Sequence, residues 1–293
     1  MLHGTLELPA GQGPFPVALI IAGSGPTDRN GNDMQLGLNT DCYKLLAEAL
    51  AQHGIASLRY DKRGAGEDRL MALPESELRF ETYIGDAVAW GNQLRADKRF
   101  TTLTIIGHSE GSLIGMIAAR EIPADGYVSI AGAGDPAQTV LLTQLKPKLP
   151  PNLYKESQAI IASLEQGKTV ATVPASLEML FRPSVQPYLI SWFRYDPARE
   201  IAKLGIPVLI IQGERDLQAS VEDARALAKA DSSAKLVLIP GMNHALKDVG
   251  PSVEDNMAAY GNPDLPIDST LTRSITDFIR QLPLPKGEQH VHP

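Results

Sequence analysis

Leu103-Thr104-Ile105-Ile106-Gly107-His108-Ser109-Glu110-Gly111-Ser112 is the stretch whose reading decides the fold. Its apolar run predicts a buried strand, and the segment Ser112–Arg120 has helical period, so Gly107–Gly111 is a sharp strand-to-helix turn. A serine at the tip of such a turn takes a strained backbone conformation. Glycines two residues either side let strand and helix close on each other, and the hydroxyl of Ser109 is left exposed.

Outward from this turn, runs rich in valine, isoleucine and leucine recur at Val17–Ala22, Ile55–Tyr60, Gly126–Ile130, Pro207–Ile211 and Lys235–Ile239. Between them lie the helical segments Asp41–His53, Glu81–Arg95 and Val221–Lys229. The alternation predicts an α/β protein with a mostly parallel, doubly wound sheet covered on both faces, and Gly4–Leu8 as an antiparallel edge strand. The rhythm breaks at 135–197, where prolines separate short apolar helical pieces. We read 1–134 and 198–285 as the core, 135–197 as an inserted helical cap, and 286–293 as a loose tail.

Serine needs a base to take its proton, and the base needs a carboxylate to orient it. Strand ends of a parallel sheet share one edge, so the partners are sought there. Asp216 follows Pro207–Ile211, and His244 follows Lys235–Ile239. Ser109, Asp216 and His244 are therefore the candidate catalytic residues. Glu214, two residues before Asp216, is the rival acid. His108 adjoins Ser109 and should point to the other face. His53 closes a helix, while His3, His290 and His292 lie near the termini. The backbone N–H groups of Ser24, in Gly23-Ser24-Gly25-Pro26 after the first buried strand, and of Glu110 are the candidate oxyanion donors. Phe181, Tyr188, Trp192 and Phe193 of the cap are candidates to line a narrow acyl pocket, against the alternative that they only hold the cap together.

Composition narrows the partners. With 27 basic and 34 acidic residues the formal charge is −7, which disfavours nucleic acid. A single cysteine, Cys42, excludes an intrachain disulfide framework and any multi-cysteine zinc cage. Gly167-Lys168-Thr169 lacks the first glycine of a phosphate loop, Gly64-Ala65-Gly66 is too short for a dinucleotide site, and no metal-ligand spacing occurs. We expect no cofactor, no metal and no membrane span. A small-molecule substrate and a cytoplasmic location are expected, or a periplasmic or secreted one if a leader was removed.

These residues resemble the α/β-hydrolase superfamily over roughly Gly4 to Leu282. Beyond the Gly-His-Ser-Glu-Gly turn, Gly23-Ser24-Gly25-Pro26-Thr27-Asp28-Arg29-Asn30-Gly31, Tyr60-Asp61-Lys62-Arg63-Gly64 and Met242-Asn243-His244 look like a bacterial esterase-like subgroup. The resemblance implies carboxylesterase activity on small acyl esters, with peptidase and thioesterase relatives nearby. It also implies that Asp61 and Arg63 form an ion-pair or loop-bracing element. Amide hydrolysis would need an amine anchor, for which Glu110 or Asp28 is the candidate. A non-catalytic binding protein of the same fold is the alternative from another class.

Overall fold

The structure, a computed structural model, describes Leu2–Leu284; the tail expected at 286–293 lies outside the described residues. Seven strands form one sheet: β1 (Gly4–Glu7), β2 (Phe15–Ile21), β3 (Ala56–Tyr60), β4 (Phe100–His108), β5 (Gly126–Ile130), β6 (Val208–Gly213) and β7 (Lys235–Ile239), in the order β1-β3-β2-β4-β5-β6-β7. β1 pairs antiparallel with β3, Gly4 opposite Tyr60, and every other pairing is parallel. The antiparallel edge strand and the mostly parallel, doubly wound sheet are as the sequence predicts.

Successive residues of a strand face opposite sides, so a strand covered on both sides reads as continuously apolar. Leu19, Ile105, Tyr127 and Ile210 join the hydrophobic cluster on one face. Ala18, Ile20, Ile106, Val128 and Leu209 join the cluster on the other. The first face is covered by α2 (Phe80–Ala96), α3 (Glu110–Glu121) and α9 (Val221–Ala230), the second by α1 (Cys42–Gln52) and α11 (Ser269–Arg280). α1 buries Cys42, Tyr43, Leu46, Ala47 and Leu50, a stripe at helical spacing. Side chains close the starts of others: Ser220 accepts from the Asp223 N–H at α9, and Asp268 from the Thr270 and Leu271 N–H groups at α11.

The segment 135–197 carries α4 (Ala137–Leu145), α5 (Pro151–Glu165), α6 (Glu178–Phe181) and α7 (Gln186–Trp192), followed by α8 (Pro197–Ile201). The prolines that break the sequence rhythm open these helices. Pro151, Pro187 and Pro197 sit in first turns, where a missing N–H costs nothing. Leu145, Ile160, Leu164, Phe181, Leu189 and Phe193 belong to the same apolar cluster as the sheet residues Leu19 and Ile105. The segment therefore shares its core with the sheet. Between β7 and α11 the chain adds α10 (Val253–Ala258) and an isolated antiparallel bridge, Lys247 to Ile267, which the strand-and-helix periodicity did not mark.

Candidate active site

Ser109 stands between β4 and α3 at φ 55°, ψ −123°, a backbone conformation disfavoured for a residue with a side chain. The neighbouring glycines make the turn possible. A Cβ on Gly107 would collide with the Gly111 carbonyl, and one on Gly111 with the Ile21 and Ala22 carbonyls. The Ser109 N–H donates to the Ile130 carbonyl at 2.9 Å, pinning the turn to the end of β5.

The loops after β6 and β7 meet in front of it. Gly213 lies against the Met242 carbonyl, where a side chain would not fit. Asp216 Oδ2 and His244 Nδ1 are 2.7 Å apart. Asp216 Oδ1 accepts from the N–H groups of Gln218 (2.7 Å) and Ala219 (3.0 Å), and Gln212 Nε2 donates to Oδ2 at 3.2 Å. Burial pushes the Asp216 carboxyl up, but His244 and these backbone donors outweigh it and hold the group below its ordinary value. Glu214 is exposed, and its side chain has no hydrogen bond among the described residues. Behind His244, the Asn243 side chain accepts from the Lys247 N–H and donates to Asn256, fixing the turn that presents the imidazole.

Ser109 and His244 open on one cavity of about 320 Å³, without a direct hydrogen bond between them among the described residues. Ser24 and Glu110 line the same cavity, with Leu113, Ala131, Val140, Leu141 and Leu180 among its apolar walls. Neither the Ser24 nor the Glu110 N–H donates to another group among the described residues, while the Gly23 N–H is taken by the Tyr43 hydroxyl at 3.0 Å. Of the four cap aromatics, only Trp192 lines this cavity. Phe181 is wholly buried, and Tyr188 and Phe193 nearly so, within the apolar cluster shared with the sheet. Their wide faces pack because the cap has no separate core to bury. The acyl-lining role expected of Phe181, Tyr188 and Phe193 therefore does not match where they lie.

His108 points to the α1 side, with Nδ1 2.7 Å from the Tyr43 hydroxyl. Burial raises the Tyr43 hydroxyl well above its usual range, and its oxygen already accepts from the Gly23 N–H, which directs its own proton at His108 Nδ1. Burial, with His244 nearby, lowers His108 to about 3. The two imidazole centroids are 4.7 Å apart, yet His108 has its acceptor nitrogen occupied and stays neutral.

Asp61 and Arg63 both brace loops, but not each other. Asp61 accepts from the Arg29 and Glu67 N–H groups, and Arg63 makes a two-pronged bond to Asp86 of α2 at 2.7 and 2.6 Å. The carboxylates considered as amine anchors are both engaged. Asp28 Oδ1 accepts from the Asn30 and Asn32 N–H groups. Glu110 pairs with Lys62 at 2.8 Å through Oε1 and accepts from the Tyr188 hydroxyl at 2.8 Å through Oε2. Lys62 was not singled out in the sequence. It sits between two residues that were, and no local spacing links it to position 110.

Among the described residues no group of three or more His, Cys, Asp or Glu side chains is placed to hold a metal ion, and no helix is long and apolar enough to cross a membrane.

Comparison with known proteins places the chain in a family. A family model described as serine aminopeptidase, S33, matches residues 36–247. Esterase EstD of Thermotoga maritima is 30% identical over 260 residues, covering 84% of this chain; the match spans 58% of the relative's own length. Among solved structures, Est1E of Butyrivibrio proteoclasticus with ferulic acid bound superposes with a TM-score of 0.63 at 18% identity, covering 96% of this chain and 95% of that one. The enol-lactonase of Burkholderia xenovorans LB400 gives 0.54 at 18% identity, covering 96% of both chains. The family match over most of the chain and the sheet order agree, and the protein belongs to the α/β-hydrolase superfamily, in the family described as serine aminopeptidase, S33.

Proposed function

We propose that this protein is a serine hydrolase that cleaves carboxylic esters of small acyl groups through an acyl-enzyme. Ser109 attacks the ester carbonyl while neutral His244 accepts its proton through Nε2. Asp216, hydrogen-bonded to Nδ1, holds the required tautomer and stabilises the imidazolium. The carbonyl oxygen, now an oxyanion, is received by the Ser24 and Glu110 N–H groups. His244 then protonates the departing alcohol, and water activated by the same imidazole releases the acid. The single observation that carries the reading is the 2.7 Å Asp216–His244 contact, beside a strained Ser109 on a shared, largely apolar cavity. An esterase is also the function named for the 30% identical relative.

The family description also brings an aminopeptidase reading to mind. Engagement of Glu110 and Asp28 by internal donors leaves that reading without the carboxylates expected to hold an amine.

Ser109→Ala should leave the melting temperature unchanged, because only a loop-tip hydroxyl is lost. Turnover of a butyryl ester should fall by about three orders of magnitude or more, and fluorophosphonate labelling should disappear. A variant that keeps half the wild-type rate would sink the assignment.

A further inference from the structure

Lys62 and Glu110 form an ion pair with both side chains only 4% exposed, at the floor of the site. Taking two charges out of water costs several kcal/mol per ion unless each is fully satisfied, so the partners of the ammonium matter. Lys62 Nζ donates to Glu110 Oε1 at 2.8 Å and to the Gly23 carbonyl at 2.9 Å, and lies 4.1 Å from the centroid of the Tyr83 ring. Two hydrogen bonds and an aromatic face use all the donors an ammonium has. Burial works against its charge, but Glu110 and the neighbouring groups hold its pKa above the ordinary lysine value. Tyr188 completes the carboxylate from the cap.

The two acceptors belong to the two residues or peptides that supply the proposed oxyanion donors. The Gly23 carbonyl and the Ser24 N–H are the two ends of one peptide plane. In a trans peptide they point in opposite directions, so a bond that draws the carbonyl toward Lys62 turns the N–H the other way. A Cβ on Gly23 would lie 3.2 Å from Ser109 Cβ, so this plane is packed directly against the nucleophile. An ammonium on the carbonyl oxygen also pulls electron density out of the amide, making its N–H a stronger donor. The other donor is the N–H of Glu110, whose side chain is held by the same ammonium.

We infer that Lys62 is the positioning residue of the oxyanion hole, one buried ammonium that fixes and polarises the Gly23–Ser24 peptide and ties it to Glu110. This rests on the serine-esterase reading above. Lys62 touches no substrate atom; it acts through the two backbone donors, on the charge that develops at the carbonyl oxygen. Its loss should therefore weaken binding of the tetrahedral state while leaving the planar ester bound as before.

The test is a Lys62→Met, Glu110→Gln double variant, which leaves no charge buried alone. Expected are a fall in kcat of tenfold or more with KM within about threefold, and a matching fall in affinity for butaneboronic acid, whose adduct with serine is tetrahedral. Removing a whole oxyanion donor costs about 100- to 1,000-fold, and misorienting one should cost a part of that. The pH profile should keep its shape, because base and orienting acid are untouched. A kcat loss under tenfold, or a loss with unchanged boronate affinity, overturns the inference. The same thresholds apply to Lys62→Gln, kept as a second variant should the double one not fold. Turnover retained by Ser109→Ala would instead break the esterase reading, whatever the Lys62 variants do.

Discussion

The two walls of the cavity are built in opposite ways. On the sheet side, the groups proposed to act are set by backbone: a left-handed Ser109, a loop after β6 whose N–H groups grip Asp216, and glycines where no side chain would fit. On the cap side, position comes from packing. Phe80 of α2 stacks on Trp192 at 5.8 Å and lies beside Tyr188 and Tyr195, while Arg182 and Ser184 reach Glu75 and Tyr195 reaches Glu81. The difference teaches where a substitution will be felt. On the first wall, side chains can be changed with little loss of fold but large loss of chemistry; on the second, the reverse holds.

The largest effect should separate the two acids on the sheet side. Asp216→Asn should lower kcat by about three to four orders of magnitude, because an amide no longer selects the tautomer of His244. Glu214→Gln, at an exposed carboxylate, should stay within a few-fold of wild type. Steady-state kinetics of both variants decide it, and the reverse ranking would transfer the role to Glu214.

The cap side is probed by a pair of truncations. Phe181→Ala should cost about 3–5 kcal/mol of stability with an unchanged acyl-length preference, since the ring is wholly buried in the shared core. Trp192→Ala should shift preference toward longer acyl esters, because its ring faces the cavity as well as Phe80. Urea melts and an ester series from acetyl to octanoyl test both. Early melting of both variants with identical ester profiles would make Trp192 a packing residue only.

The last effect, the smallest within any single pH unit, is on pH dependence and lies beneath the sheet-side wall. An unfolded chain protonates His108 near its ordinary 6.5, whereas the folded protein resists protonation down to about 3. Stability from this group is therefore complete above about pH 6.5 and is lost as pH falls toward 3, by at most about 1.4 kcal/mol per pH unit. His108→Asn should unfold with a flatter pH dependence between pH 6 and 4 than wild type, measured by denaturant melts. Equal slopes would show that His108 does not stay unprotonated in the folded state.

The same contrast explains what could be read from the sequence. The mostly parallel sheet and the turns that carry Ser109, Asp216 and His244 were legible because each depends on local signals, an apolar run ending in a turn. Parallel strands then bring those turns to one edge. The roles of Phe181, Tyr188 and Phe193 were not legible, because a helix-period apolar face looks alike whether it covers a ligand or a core. Lys62 was hidden for another reason. Its partners at positions 23, 83 and 110 come from three separate elements, and only the folded sheet edge brings them together.

The tie between Tyr188 and Glu110 has a consequence for traffic. Were the helical segment to swing away as a hinged door, the Tyr188 hydroxyl would leave a buried carboxylate short of a donor, and Phe80, wholly covered, would meet water. Uncovering one such ring alone costs about 1.5–3 kcal/mol, and the lost hydrogen bond to a charged group about as much again. Substrate and product are thus expected to pass along the rim, past residues such as Leu180 and Gln218 that line the cavity and remain partly or fully exposed. The segment 135–197 is thus expected to stand as a fixed wall with a doorway beside it.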